Sequence, residues 1–250
     1  MGDFDLILVP IFFIISFFYS SVGLGGGSSY VAFLSFNGFP LNKIPPIALF
    51  LNIIVASIAL YRFKKVNFFD FRLVLPFVVS SIPAAFIGAR VKLDEKSLSI
   101  LFAVIIFLVA VKMLSLKKEI TPEISVNWKT SWLIGLPGGV ILGFTAGVVG
   151  IGGGIFLGPV LLLFGFASSK QTAAACSTFV LLNSISGLLS HIIKGGVDIL
   201  ALLPFGTAVF LGGQIGSYFG AKKFSPLILQ KIFGSIILLI AIKVGMRVVL

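Results

Sequence analysis

A chain of 250 residues that is 58% hydrophobic and 11% charged is not an ordinary soluble domain, in which about a quarter of the residues carry charge. The few charges stand in short gaps between apolar runs, which is the pattern of a polytopic membrane protein. The net charge of +11 is then the signature of Lys and Arg in loops; no basic stripe with interleaved exposed aromatics points to nucleic acid. Cys176 is the lone cysteine, which excludes an intramolecular disulfide and a Cys-based zinc or iron–sulfur site. Asp3 and Asp5 stand where a signal peptide has its basic region, so the first apolar run is expected to be retained.

In chain order, an apolar run from Leu6 to Ser21 ends in Gly23-Leu24-Gly25-Gly26-Gly27-Ser28-Ser29. Ser28 to Phe36 follows and is too short to cross a hydrocarbon core about 30 Å thick. The pattern predicts two half-helices that meet at the glycines. Ile44 to Tyr61 is the third segment, Arg62-Phe63-Lys64-Lys65 a basic loop, Phe71 to Ala89 the fourth segment and Ser97 to Leu116 the fifth. Residues 117–130 form the one extended polar stretch, a linker between a first membrane repeat (1–116) and a second (131–250). The second repeat runs Ser131 to Val149, a glycine turn, Ile155 to Phe166, Thr172 to Ile193, Ile199 to Gly220 and Pro226 to Met246.

The repeat is readable residue by residue. Gly23, Gly25, Gly26, Gly27 and Lys43 match Gly150, Gly152, Gly153, Gly154 and Lys170 at an offset of 127. Leu51-Asn52 then matches Leu182-Asn183, Asp70 matches Asp198, Leu75-Pro76-Phe77 matches Leu203-Pro204-Phe205, and Lys112 matches Lys243. With a hairpin or two crossings at each glycine turn, a half contains an odd number of crossings and the second copy inserts upside down. A single broken crossing would instead give a parallel pair. The charges favour the odd count: Arg62, Lys64, Lys65, Arg72, Lys117, Lys118, Lys129, Lys170, Lys222 and Lys223 fall on one side. Lys43, Arg90, Lys92, Lys96, Lys194 and Arg247 fall on the other, which puts both termini outside the cytoplasm. The expected fold is an all-α polytopic membrane protein of two inverted repeats, each opening with a glycine-broken pair of short helices.

The glycine turns are not nucleotide loops: the Lys-Ser/Thr of a P-loop is missing, and no strand precedes them. One reading is that they merely let helices approach closely. The other is a broken-helix site, in which a half-helix starts near the bilayer midplane with unpaired N–H groups and a positive dipole end that suit an anion. Ser28 and Ser29 add hydroxyls to the first turn, where the second has Ile155 and Phe156, so the cargo is expected nearer the first turn. Gly135, Gly139, Gly143 and Gly147, and Gly212, Gly216 and Gly220, recur every four residues and predict smooth packing faces. Asn52, Ser57, Ser177, Thr178, Asn183 and Ser186 bond between helices or line a path, with repeat-matched Asn52 and Asn183 the better candidates for the path. Asp70 and Asp198 read as helix N-caps, Lys112 and Lys243 as snorkelling lysines near helix ends, and Arg90 as similar, or as an attractor of anions at an entrance. His191, the lone histidine, reads as a packing or loop-edge residue rather than a proton relay. No Asp or Glu lies well inside an apolar run, which argues against a carboxylate coupling site for Na⁺ or H⁺.

Gly150 to Gly154 followed by Pro159 and Leu161, duplicated as Gly23 to Gly27, resembles the TauE/SafE family, the group of sulfite exporters and toluene-sulfonate uptake permeases. The resemblance covers nearly the whole chain, with one departure, Ala32 where the second copy has Pro159. It implies transport of sulfite, an organosulfonate or another small sulfur-containing or carboxylated anion across the cell membrane. The expected mechanism is alternating access, one repeat moving against the other, at a midplane site formed by Gly25, Gly26, Gly27, Ser28, Ser29, Asn52, Gly152, Gly153, Gly154 and Asn183. The alternative is an anion channel with a continuous pore. No cofactor, metal or catalytic residue is expected, and the partners are the small anion and the lipid bilayer.

Overall fold

The computed structural model describes residues 3–40, 43–88, 90, 107–118, 121–122, 127–149, 154–194 and 203–249. Among them there are helices and no strand. α1 is Asp3–Ser21, α2 Gly27–Phe36, α3 Ile44–Lys65 and α4 Phe71–Gly88, and α5 is described over 107–115. α6 is Trp128–Val149, α7 Gly154–Leu163, α8 Ser169–Lys194 and α9 Leu203–Tyr218, which widens into a π-helical turn, Phe219–Lys223, before α10, Pro226–Val249. Five helices are long and apolar enough to cross a membrane among the described residues: α3, α4, α6, α8 and α10. Large apolar side chains such as Leu133, Ile141 and Leu239 point outward, as a lipid-facing surface requires.

Local chemistry explains the boundaries. α3 opens on Pro45 and Pro46, whose fixed φ suits a first turn. It continues through Arg62, Lys64 and Lys65, so the basic stretch expected as a loop is the last turn of a helix, where cations complement the negative dipole end. α6 likewise begins at Trp128, three residues inside the stretch read as linker. Asp70 caps α4: its Oδ1 accepts from the Arg72 amide at 2.9 Å, as the N-cap reading expects, whereas Asp198 lies outside the described residues. Asp70→Ala is expected to lower stability by about 1 kcal/mol, read as a lower unfolding midpoint of the purified protein in detergent.

The ends of α2 and α7 are built alike. Gly38 and Gly165 both take a left-handed conformation, with φ of 75° and 65°. The Phe39 amide then donates to the Leu34 carbonyl at 3.1 Å, and the Phe166 amide to Leu161 at 2.9 Å. These residues correspond at the offset of 127, and the two short helices share the same form of C-terminal cap.

Three helix pairs organise the core. α1 and α9 run parallel: Gly212 lies on Phe13 and Ser16, Gly216 on Phe17 and Ser20, and Gly220 on Ser21. α4 and α6 run parallel in the same manner, with Gly135 on Pro76, Gly139 on Phe77 and Ser80, Gly143 on Ser81 and Gly147 on Ala85. The glycine stripes are therefore packing faces, and each joins the first helix of one half to the fourth helix of the other. The serines facing them bond within their own helices, Ser16 to the Phe13 carbonyl at 2.9 Å and Ser81 to Val78 at 3.2 Å, so the seams bury no unpaired hydroxyl there. α3 and α8 run antiparallel: Gly187, late in α8, lies on Leu49, early in α3, while Lys170 at the start of α8 stands 5.1 Å over the ring of Phe68, beyond the end of α3.

The apolar core divides accordingly. One cluster joins Phe12 of α1, Tyr30 and Leu34 of α2, Ile44 to Val55 of α3, and Phe205 and Val209 of α9. Another joins Tyr19, Val22 and Leu24 at the end of α1 to α4, α5, α6, α7, α8 and α10, and a third sets Ala59 and Phe63 of α3 against Ala173 and Ala174 of α8. Cations gather at one end of the molecule. The Lys170 ammonium donates to the Ala221 carbonyl at 3.3 Å, Arg62 donates to Gln214 Oε1 at 2.9 Å and lies over Tyr218, and Lys222 lies over the same ring.

Candidate functional site

The site is built from the first glycine turn upward. At the end of α1 the Leu24 amide reaches back to the Tyr19 carbonyl at 2.8 Å, which closes the helix. Gly23 and Gly26 then take φ of 74° and 93°, a left-handed backbone that other residues adopt only under strain. Gly26 caps α2 without any side-chain bond. Its carbonyl accepts from the Ser29 and Tyr30 amides, both at 3.0 Å. The amides of Gly25, Gly26, Gly27 and Ser28 donate to no group among the described residues. Residues 25–28 are buried, so these four N–H groups and the positive end of a ten-residue helix are gathered at the turn.

Two side chains close on that place. Asn52 of α3 is fully buried, and neither Oδ1 nor Nδ2 has a hydrogen-bond partner. Its amide lies directly on the turn: a Cβ on Gly25 would collide with Oδ1, and one on Gly27 would fall 2.5 Å from Nδ2. Tyr30 is also fully buried, and its unpartnered hydroxyl would lie 2.9 Å from a Cβ on Gly26. Gly25, Gly26 and Gly27 therefore leave room for an amide and a phenol that any side chain would displace. Asn52 is the ninth of the 22 residues of α3, a helix of about 33 Å, so the amide sits near mid-height.

Sequence reasoning missed three contributors. The Lys243 ammonium, expected to snorkel from a helix end, donates instead to the Ser28 carbonyl at 2.7 Å, in the first turn of α2. The Tyr19 hydroxyl bonds Ser29 Oγ at 2.7 Å and Ser28 Oγ at 3.3 Å, so both hydroxyls assigned to the cargo are held by a phenol. Tyr30 is the third. A signal existed for Lys243 alone: it matches Lys112 across the repeat, and its place in an apolar helix, six residues before the last described one, is deep for a snorkelling residue. Tyr19 and Tyr30 match Ala146 and Leu157 and carry no repeat signal.

Of the second turn, Gly152 and Gly153 lie outside the described residues. Gly154 starts α7, and its carbonyl accepts from Cys176 Sγ at 3.4 Å. A Cβ on Gly154 would meet Val180 and Leu24, and one on Gly25 would fall 2.8 Å from Val180 as well. Both turns thus converge on one stretch of α8. Asn183, one turn beyond Val180, is engaged differently from Asn52: its Nδ2 donates to Ser81 Oγ and to the Phe179 carbonyl, both at 2.9 Å, while Oδ1 has no partner. The structure brings Gly25, Gly26, Gly27, Ser28, Ser29 and Asn52 together, and ties Asn183 to α4. His191 takes part in an interaction of its own, and Arg90 stacks over Phe86 at 4.1 Å.

The description "Sulfite exporter TauE/SafE" matches residues 8–244. A probable membrane transporter protein y4hK of Sinorhizobium fredii (strain NBRC 101917 / NGR234) is 31% identical over 234 residues, 93% of this chain and 94% of that protein. A probable membrane transporter protein YunE of Bacillus subtilis (strain 168) is 26% identical over 235 residues, 81% of this chain and 84% of that protein. No solved structure matches significantly.

Proposed function

The chain belongs to the sulfite exporter TauE/SafE family, and from that premise we propose that it is a secondary transporter of a small anion: sulfite, an organosulfonate or a related sulfur-containing anion. The observation that carries the reading is the first glycine turn, with four amides at a helix N-terminus that donate to no described group, closed by the unpaired amide of Asn52 and the hydroxyl of Tyr30. Buried donors without partners are destabilising by about 1–3 kcal/mol each, and an anion satisfies several at once. The Lys243 ammonium on the Ser28 carbonyl adds positive potential at the turn. Asn183 and Gly152 to Gly154 form the second half of the path.

Inverted repeats fit this reading. Equivalent helices α3 and α8 run antiparallel, and the seams α1–α9 and α4–α6 exchange under the same operation, as a two-fold axis in the membrane plane requires. The gathered cations at the α3–α8 end mark the cytoplasmic side under the positive-inside rule, which leaves both termini outside. The moving bodies are drawn across the repeats rather than along them. The glycine seams bind α9 to α1–α3 and α4 to α6–α8, and motion falls to the α3–α8 crossing between these two groups of helices.

The test is sulfite flux into proteoliposomes, using Leu49→Cys with Gly187→Cys in a Cys176→Ala background. Saturable uptake that stops on oxidation and returns on reduction is expected. Unitary currents in a planar bilayer, or flux indifferent to the cross-link, would replace the transporter with a channel.

A further inference from the structure

The charges and unpaired atoms around the first turn specify the cargo more narrowly than its sign. Among the described residues the carboxylates are Asp3, Asp5 and Asp70, all at the starts of α1 and α4 and none at the turn. Among the described residues the titratable groups at it are Tyr19 from α1, Tyr30 from α2 and Lys243 from α10, with Cys176 of α8 bonded to the neighbouring Gly154 carbonyl. Lys243, which has a further interaction besides the Ser28 carbonyl, is the one ammonium among these described groups. The dipole end and the four amides supply donors only. Asn52 is different: whichever way its amide is turned, one buried end is a donor and the other an acceptor, and both lack partners.

Resting on the reading of the turn as an anion site, we propose that the transported species is a hydrogen oxyanion, a monoanion that carries one O–H. Its O–H donates to the acceptor end of the Asn52 amide while a neighbouring oxygen accepts from the donor end, and the lone pairs left on its oxygens accept from amides of Gly25 to Ser28 and from the Tyr30 hydroxyl. A dianion would set a lone pair against the amide oxygen in a buried site. A proton-free monoanion would fill the donor end and leave the acceptor buried and unpaired. The site thus selects a protonation state, and cargo and proton cross together without a carboxylate in the protein to carry the latter.

The experiment measures binding of sulfite and of methanesulfonate, a monoanion of similar size without an O–H, to the purified full-length protein across the pH range in which sulfite gains its proton. Sulfite affinity is expected to fall by about tenfold per pH unit once the hydrogen form is titrated away. Methanesulfonate is expected to bind about tenfold more weakly at the acid end, with no comparable pH dependence. Titration of Tyr19, Tyr30, Cys176 or Lys243 would move both probes alike, so the difference between them isolates the proton of the cargo. Asn52→Leu should bring the two affinities together. Sulfite affinity that is level or rises as the proton is lost, or methanesulfonate binding as tight as sulfite in the unaltered protein, overturns the proposal while leaving an anion site standing. Binding of neither probe overturns the anion site itself.

Discussion

Replacement of Lys243 by Met is expected to weaken anion binding about 30-fold, the effect of removing about 2 kcal/mol of charge complementarity. The figure sits at the low end for a buried charge pair because the side chain is only partly buried, and solvent screens part of its field. The ammonium stands on the Ser28 carbonyl, one residue inside the N-terminus of α2, where it adds a full charge to the partial charge of the dipole. It also ties α10 to the turn, so a purely structural role must be separated from an electrostatic one. Lys243→Arg keeps the charge and a donor and should retain affinity within a fewfold, whereas Lys243→Met should lose it even where both variants unfold at the same temperature. Equal affinity of the Met variant and the unaltered protein, by titration calorimetry with sulfite, would remove Lys243 from the site.

The sequence made the two turns legible because glycine leaves a compositional mark. Four glycines in five positions inside apolar sequence, repeated 127 residues later, announce a backbone feature whatever surrounds it. Asn52 was legible for a related reason: a repeat-matched amide in an apolar run must find a partner or a ligand. What touches the turn from a distance was not legible. Tyr19 and Tyr30 are two more aromatics in a chain with 27 Phe and 4 Tyr, and nothing in their spacing says that one phenol holds Ser28 and Ser29 while the other faces Gly26. Lys243 is 215 residues from Ser28, a separation that only the packing of α10 against the first half closes. The basic stretch Arg62 to Lys65 misled in the opposite way: it marks the end of a crossing correctly, but the helix runs on through it because cations are welcome at its C-terminus. The glycine stripes were read as packing faces, yet their partners were not, since spacing on one helix says which face is smooth and not which helix lies on it.

Those partners set the second large effect. Gly143→Leu or Gly216→Leu is expected to remove more than about 4 kcal/mol and to leave little folded protein, a loss of the size reserved for core disruption. At Gly143 a Cβ would collide with the backbone of Ser81, and at Gly216 with the carbonyl of Phe17. Neither obstacle is the end of a flexible side chain, so the helices must separate along the seam and forfeit dispersion contacts over several turns. Gly206, in the same helix as Gly216, is the control. The nearest atom to a Cβ there is Ile54 Cδ1 at 3.7 Å, an ordinary contact. Gly206→Ala should therefore be neutral or stabilising by up to about 1 kcal/mol through its better helix propensity. The measurement is the yield of monodisperse protein and its unfolding temperature for each variant. A Gly216→Leu protein as stable as Gly206→Ala would show that the α1–α9 seam is not closed, and with it would go the rigid unit that joins α9 to the first three helices.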